Sequence, residues 1–302
     1  MIKKGFFIMG LFNGYLKEGK GVDKDAPKPI RPIYFFELFF RKITQMIKLN
    51  LLFFITTIPM WFILFMVGNF ALSNMKENQF VPMLQAITQI VVNPLSMIIL
   101  LALCFLLGPS TSGATYILIN FATEMPVFLV SDYFEHFKKN IKQSALLMII
   151  NVFACVSLFL TWIIPILPGY NQLESVQLFY VLRYPSLIVF IILIFVNFYA
   201  NTIMVLFKMR FIDIIKNSIL FALGKLPLNV LILVLSLLPA ILLSSFFHPI
   251  ILVICFALIL YSFGGFMVVY GVYPTIEKYM LIPAKEKGIE VEENKKSSEV
   301  EM

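Results

Sequence analysis

The chain has 302 residues, of which 60% are hydrophobic and only 14% charged, with 32 Phe and a mean hydropathy of +0.90. That balance excludes a water-soluble domain and points to lipid as the solvent. The net charge of +7 does not argue for nucleic acid, because the Lys and Arg lie between apolar runs, where anionic lipid headgroups are the nearer partner.

In chain order, residues 1–32 are basic and rich in Gly and Pro, and are expected to form a cytosolic lead-in. The opening apolar patch is interrupted by Gly and Asn and followed by no small-residue cleavage site, so it does not read as a signal peptide. The pattern of residues 33–48 predicts an amphipathic helix, with Phe36, Ile43 and Ile47 on one face and Glu37 paired to Arg41 on another. A first span follows at 49–70, kinked at Pro59, then a polar loop and a short amphipathic helix over 80–92.

Asn93 and Pro94 form a helix start, an N-cap side chain followed by Pro at the first helical position. The span they open, 94–121, would be about 42 Å long at 1.5 Å per residue, longer than a bilayer core. A kink is expected at Gly108-Pro109, with Ser110, Thr111, Ser112 and Thr115 placed to satisfy freed backbone groups. After Pro126 a second surface helix is expected. Val127, Val130, Phe134, Phe137 and Ile141 form its apolar stripe, and Asp132, Glu135, Lys138, Lys139 and Lys142 its polar side.

Further spans are predicted at 144–167, 184–207, 227–247 and 250–272, with a third surface helix at 208–225 and polar breaks at 169–177 and at His248-Pro249. Residues 33–282 thus form the membrane domain, and 283–302 a charged, disordered cytosolic tail. The fold class is all-α, a polytopic bundle of about six transmembrane helices with amphipathic interfacial helices.

Charge placement gives an orientation. Of 24 Lys and Arg, all but Lys76 and Arg183 fall in 1–48, 123–142, 208–225 and the tail from Tyr273. The positive-inside rule then puts both termini in the cytosol of a multi-pass cell-membrane protein. Each odd-numbered span follows a surface helix in which an acid precedes a base by three or four residues: Glu37 and Arg41, Glu135 and Lys138, Asp213 and Lys216. Each also contains a proline, Pro59, Pro165 or Pro239, which suggests a threefold repeat of one surface helix and two spans.

The spans contain no Asp, Glu, Lys or Arg, and 226–276 is uncharged throughout. Proton relays, ion-coupled carriers and intramembrane hydrolases need an ionisable group at depth, so no catalytic residue, cofactor or metal ligand is assigned and an enzyme is not expected. His136 and His248 read as solvated or interfacial side chains, and Cys104, Cys155 and Cys255 as small buried hydrophobes in apolar runs. Two polar sets stand out as a candidate pocket: Gly108, Pro109, Ser110, Thr111 and Ser112, and Asn197 with Asn201, near Asn151. Packing of small residues and interhelical hydrogen bonding compete with that reading.

Several motifs carry a resemblance: Gly10-Leu11-Phe12-Asn13 with Gly19-Lys20-Gly21-Val22, Phe39-Phe40-Arg41-Lys42 leading to Leu49-Asn50-Leu51-Leu52, and Gly108-Pro109-Ser110-Thr111. Asp132-Tyr133-Phe134 follows, then 137–144, FKKNIKQS, and more weakly Lys216-Asn217 with Ala222-Leu223-Gly224. Over most of residues 5–275 the chain resembles the YesL-like integral membrane proteins of Gram-positive bacteria. The family pattern implies a basic residue after the Gly-Pro helix, which 119–123 lacks. The resemblance supplies no catalytic residues. It implies a setting beside carbohydrate ABC uptake systems, with transporter subunits as partners and an accessory role. A stand-alone permease for a neutral solute and a non-transporting scaffold are the competing classes.

Overall fold

A computed structural model describes residues 30–73, 80–167, 176–246, 251 and 254–288. The lead-in before Ile30, most of the two polar loops, the His248-Pro249 turn and the end of the tail lie outside the described residues. The described residues are all helical, without strands. The chain divides into two compact units, residues 1–40 and 41–302.

The helices are α1 (Arg31–Arg41), α2 (Ile43–Thr56), α3 (Ile58–Ser73), α4 (Phe80–Val92), α5 (Pro94–Ala122), α6 (Leu129–Lys139), α7 (Ile141–Ile163), α8 (Val176–Leu206), α9 (Phe211–Gly224), α10 (Leu226–Phe246) and α11 (Phe256–Glu286). In the first unit, Phe35 stacks on Phe39 one turn later along α1, with ring centroids 6.3 Å apart. The helix predicted over 33–48 is divided: α1 ends at Arg41, Lys42 leaves helical geometry, and the rest of the segment belongs to α2. The first predicted span is likewise two helices. Thr57 separates them because Pro59 supplies no N–H to the ladder, and the Thr57 hydroxyl and N–H both close on the Phe53 carbonyl, at 2.8 and 3.1 Å.

Among the described residues, four helices are long and apolar enough to cross a membrane: Ile141–Ile166 (α7 with its terminal 3₁₀ turn), Val176–Leu206, Leu226–Phe246 and Phe256–Glu286. Their outer faces are apolar. Only 11% of the apolar window of α10 is buried, and Val230, Leu231, Val234, Leu238 and Ile241 lie on its exterior. Water would penalise such a surface and acyl chains would not. At one end of α7 and α8, Arg183 lies over the Trp162 ring at 4.8 Å and the Tyr180 ring at 5.4 Å, an aromatic cluster of the kind found at membrane–water boundaries.

In the second unit, α5, α8 and α11 pack against one another. Helix α2 packs on α5 and α11, and α7 on α5 and α8. Helix α10 packs on α11 and reaches α8 through the Tyr199 hydroxyl, which donates to Asn229 Oδ1 at 2.8 Å. Helix α5 begins as its sequence predicts, with Asn93 Oδ1 accepting from the Leu95 N–H at 2.9 Å. It ends in a Schellman turn, the Met125 N–H reaching the Asn120 carbonyl at 3.0 Å while Glu124 takes the left-handed conformation at φ 60°. Glu124 is tied to Arg41 by an ion pair exposed enough to add little stability.

Helix α11 contains two π-helical segments, Phe256–Leu260 and Glu277–Leu281. A π turn displaces backbone groups from the regular ladder, and beside the first segment Asn50 of α2 takes up two of them. Its Nδ2 donates to the Phe256 carbonyl at 2.6 Å, and its Oδ1 accepts from the Ser262 N–H at 2.7 Å. Asn50 is buried, so both groups lack water as a substitute. Asn50→Leu is expected to lower stability by about 1–3 kcal/mol, since two buried backbone groups lose their partner. Thermal unfolding of the detergent-solubilised protein measures this, and an unchanged midpoint would show that the amide bridge carries no weight.

Candidate functional site

The Gly-Pro segment of α5 is where three helices come closest. A Cβ built on Gly108 would sit 2.4 Å from the Ser144 carbonyl oxygen of α7, and one on Gly113 would sit 2.6 Å from the Tyr133 carbonyl oxygen of α6. Only glycine lets those backbones approach so closely. Helix α5 runs on through Pro109, and the hydroxyls after it turn back onto the helix. Ser110 donates to the Leu106 carbonyl at 2.6 Å, Thr111 to Gly108 at 2.6 Å, Ser112 to Pro109 at 2.9 Å and Thr115 to Thr111 at 2.7 Å.

Two of these groups also reach neighbouring helices. Ser110 Oγ lies 3.1 Å from Thr56 Oγ1, and Thr56 Oγ1 lies 2.8 Å from the Tyr133 hydroxyl, so α2, α5 and α6 meet in a chain of three hydroxyls. Ser112 Oγ contacts the His136 carbonyl at 3.3 Å, an oxygen that also accepts from the Asn140 N–H at 3.2 Å and Nδ2 at 3.1 Å. That carbonyl at the end of α6 is therefore fully used.

Helix α6 keeps Glu135, Lys138 and Lys139 of its predicted polar side exposed, as it does Lys142 beyond its end, but buries two polar residues its pattern places outward. Asp132 and His136, read as outward or interfacial, are each 2% exposed, whereas Val130 of the apolar stripe is 58% exposed. The cause is the glycine contact, which brings Tyr133 against α5 and turns Asp132, His136 and Asn140 inward with it. Asp132 Oδ2 accepts from the Phe128 N–H at 2.9 Å at the helix start, and the His136 ring stacks on Tyr116 with centroids 3.6 Å apart. Val130, Phe134 and Ile141 of the stripe are exposed, as suits an interfacial helix whose apolar side meets acyl chains.

The second polar set forms a separate cluster. Asn151 and Asn197 exchange reciprocal side-chain hydrogen bonds, both 2.8 Å, between α7 and α8, and Asn201 Nδ2 donates to the Asn197 carbonyl at 3.0 Å. None of these bonds reaches the Gly108–Ser112 segment.

Sequence reasoning missed Asn50 and Asn229 as buried amides that fasten one helix to another. Asn229 accepts from Tyr199 and donates to the Ala222 carbonyl at 2.9 Å, closing the end of α9. Each is a lone amide in a long apolar run, and that isolation was the available signal. The cysteines also differ from expectation, since Cys155 faces the exterior of α7 and Cys255 is half-buried. Among the described residues no group of three or more His, Cys, Asp or Glu could hold a metal ion.

Two recesses complete the picture. One, of 410 Å³, lies where the end of α6 and the start of α7 meet the end of α8. The other, of 480 Å³, is lined by Gln85, Thr88, Gln89, Val92, Asn93 and Leu167. No protein-family profile, curated protein or solved structure matches the chain.

Gly108→Ala is expected to destabilise strongly, because the added methyl meets backbone rather than a movable side chain. Gly224→Ala, with nothing within 4 Å of its Cβ, should be neutral or slightly stabilising. Comparing the melting midpoints of the two variants tests this, and equal losses would discount the close contact. Burial raises the Tyr133 phenol above its ordinary value, an effect that hydrogen bonds from Thr56 and Ser110 reduce in part. The folded state therefore keeps this proton after the unfolded chain, with its pKa near 10, has lost it. Stability from this residue is intact below about pH 10 and declines as pH rises through the folded value. Tyr133→Phe should accordingly show a shallower loss of stability above pH 10 than the parent, measured by unfolding across pH 8–12.

Proposed function

We propose that this is a YesL-like integral membrane protein with six spans, and that it acts as a non-transporting scaffold accessory to an ABC-type carbohydrate uptake system of the cell membrane. The observation that carries the scaffold reading is the closed state of the interior polar groups. Asn50, Asn151, Asn197 and Asn229 each bond to protein on a neighbouring helix, and the hydroxyls at 110–112 and 115 bond to backbone. A permease for a neutral solute needs polar groups left over to bind its cargo along a path. The carbohydrate setting rests on the resemblance of the motifs given above.

Six spans would add α2 with α3, and α5, to the four long helices. Helix α5 has 29 residues and no charge, which meets the length requirement. Orientation with both termini in the cytosol is supported by where Lys and Arg fall in the sequence.

A threefold repeat finds support in the three single-residue breaks that join a shorter helix to the helix after it, at Lys42, Asn140 and Lys225. In each, the carbonyl of the break residue accepts from the N–H four residues on, Met46, Ser144 or Asn229, at 2.9–3.0 Å. The uneven spacing of the copies has a simple source. The interval from Lys42 to Asn140 exceeds that from Asn140 to Lys225 by 13 residues, the length of α4. The mutual packing of α5, α8 and α11, the second span of each copy, fits a pseudo-threefold arrangement.

The permease reading retains one favourable observation, the amide-lined recess beside α4. Single cysteines at Asn197→Cys and Ser112→Cys, in a background lacking the native cysteines, should resist aqueous maleimide in intact membranes. Labelling at both would establish a water-filled path and overturn the scaffold reading. Purification from native membranes in mild detergent should bring ABC transporter subunits along. Their absence, under conditions that keep a known transporter complex intact, would remove the accessory role.

A further inference from the structure

The 410 Å³ recess is built unlike the rest of the surface. Its lining includes Lys138 and Lys139 from the end of α6, Lys142 from the start of α7 and Lys208 just beyond α8, and no Asp or Glu. Lys138, Lys142 and Lys208 make no ion pair among the described residues. The next acid along the chain, Asp213, is occupied by Arg210, whose Nε lies 2.8 Å from its Oδ2. The three ammonium groups of Lys138, Lys142 and Lys208 around one concave space repel one another unless an anion sits among them.

The recess is held in place rather than formed by chance side-chain positions. Gln143 Nε2 donates to the Met209 carbonyl at 2.8 Å, which fastens the first turn of α7 to the segment after α8. The floor is apolar, with the buried Met204, Val205 and Phe207 beneath the charged rim. Polar atoms on the rim over an apolar floor match a group that is anionic at one end and aliphatic at the other. The recess lies at the ends of α7 and α8, two of the helices long enough to span a bilayer, and basic pockets at the ends of spans suit phosphate headgroups.

We infer that this recess is a binding site for a phosphate ester, with Lys138, Lys142 and Lys208 as the charge-bearing contacts and Lys139 at its edge. The ester is either the headgroup of an anionic phospholipid or a soluble phosphate ester that enters from the aqueous side. The inference depends on the membrane embedding of the chain and not on the accessory role, so the two stand or fall separately.

The test uses the full-length protein in phosphatidylcholine nanodiscs, with thermal melting as the readout. One arm raises the mole fraction of phosphatidylglycerol, and the other titrates glycerol 3-phosphate into discs of phosphatidylcholine alone. At least one probe should raise the melting midpoint of the parent. Lys138→Gln, Lys142→Gln and Lys208→Gln should each weaken the apparent affinity for that probe about fivefold, with larger losses in combination. A control carrying Lys48→Gln, Lys216→Gln and Lys287→Gln removes the same charge elsewhere and should weaken it less than twofold. Response to phosphatidylglycerol only identifies a lipid headgroup, and response to glycerol 3-phosphate identifies a soluble ester. Equal weakening in the recess and control sets would mean diffuse surface charge and overturn the site, as would failure of both probes to bind. The substituted lysines are exposed, and the unliganded melting midpoint of each variant checks that it is folded.

Discussion

Everything in this structure depends on one constraint: a backbone N–H or C=O surrounded by apolar matter must find its partner inside the protein. Regular helix meets that demand along most of the chain. The exceptions are where the sequence spends its few intramembrane polar side chains. Asn50 closes the gap beside the π segment of α11, Thr57 closes the end of α2 before Pro59, and Asn229 closes the end of α9. Each of these three irregularities has a named side chain set against it.

The same constraint explains how the helices are joined. Where van der Waals contact supplies much of the attraction between spans, backbones gain by approaching closely, and Gly108 and Gly113 allow α5 to meet α7 and α6 at backbone distance. That contact in turn orients α6. Its Asp132, Tyr133 and His136 are drawn inward, and the hydroxyl chain of Ser110, Thr56 and Tyr133 forms as a consequence of the approach. Polar residues that resemble a binding pocket in sequence thus act as fastenings between helices.

Charge obeys a different rule. Among the described residues Asp132 is the one buried acid, held by the Phe128 N–H, and Lys, Arg and the other acids stay at least partly exposed and gather towards helix ends, where they can face headgroups or water. Around the recess between α6, α7 and α8 lysines converge on one space without an acid among them, a local repulsion that a bound anion relieves.

Composition and periodicity alone point to a helical chain with segments long and apolar enough to cross a membrane, because apolar runs of span length and charge confined to the segments between them admit few other solutions. The helix start at Asn93-Pro94 and the positions of α7, α8 and α10 were legible for the same reason, being set by local chemistry. Other features were not. The π segments, the partners of Asn50 and Asn229, and the inward face of α6 depend on contacts between residues far apart in the chain. A side chain's preference for inside or outside also loses its meaning when both are apolar. In water, the apolar stripe of Val130, Phe134 and Ile141 would have named the buried face of α6. In lipid it does not, and only the approach of Gly113 to Tyr133 decided which side of that helix faces the protein.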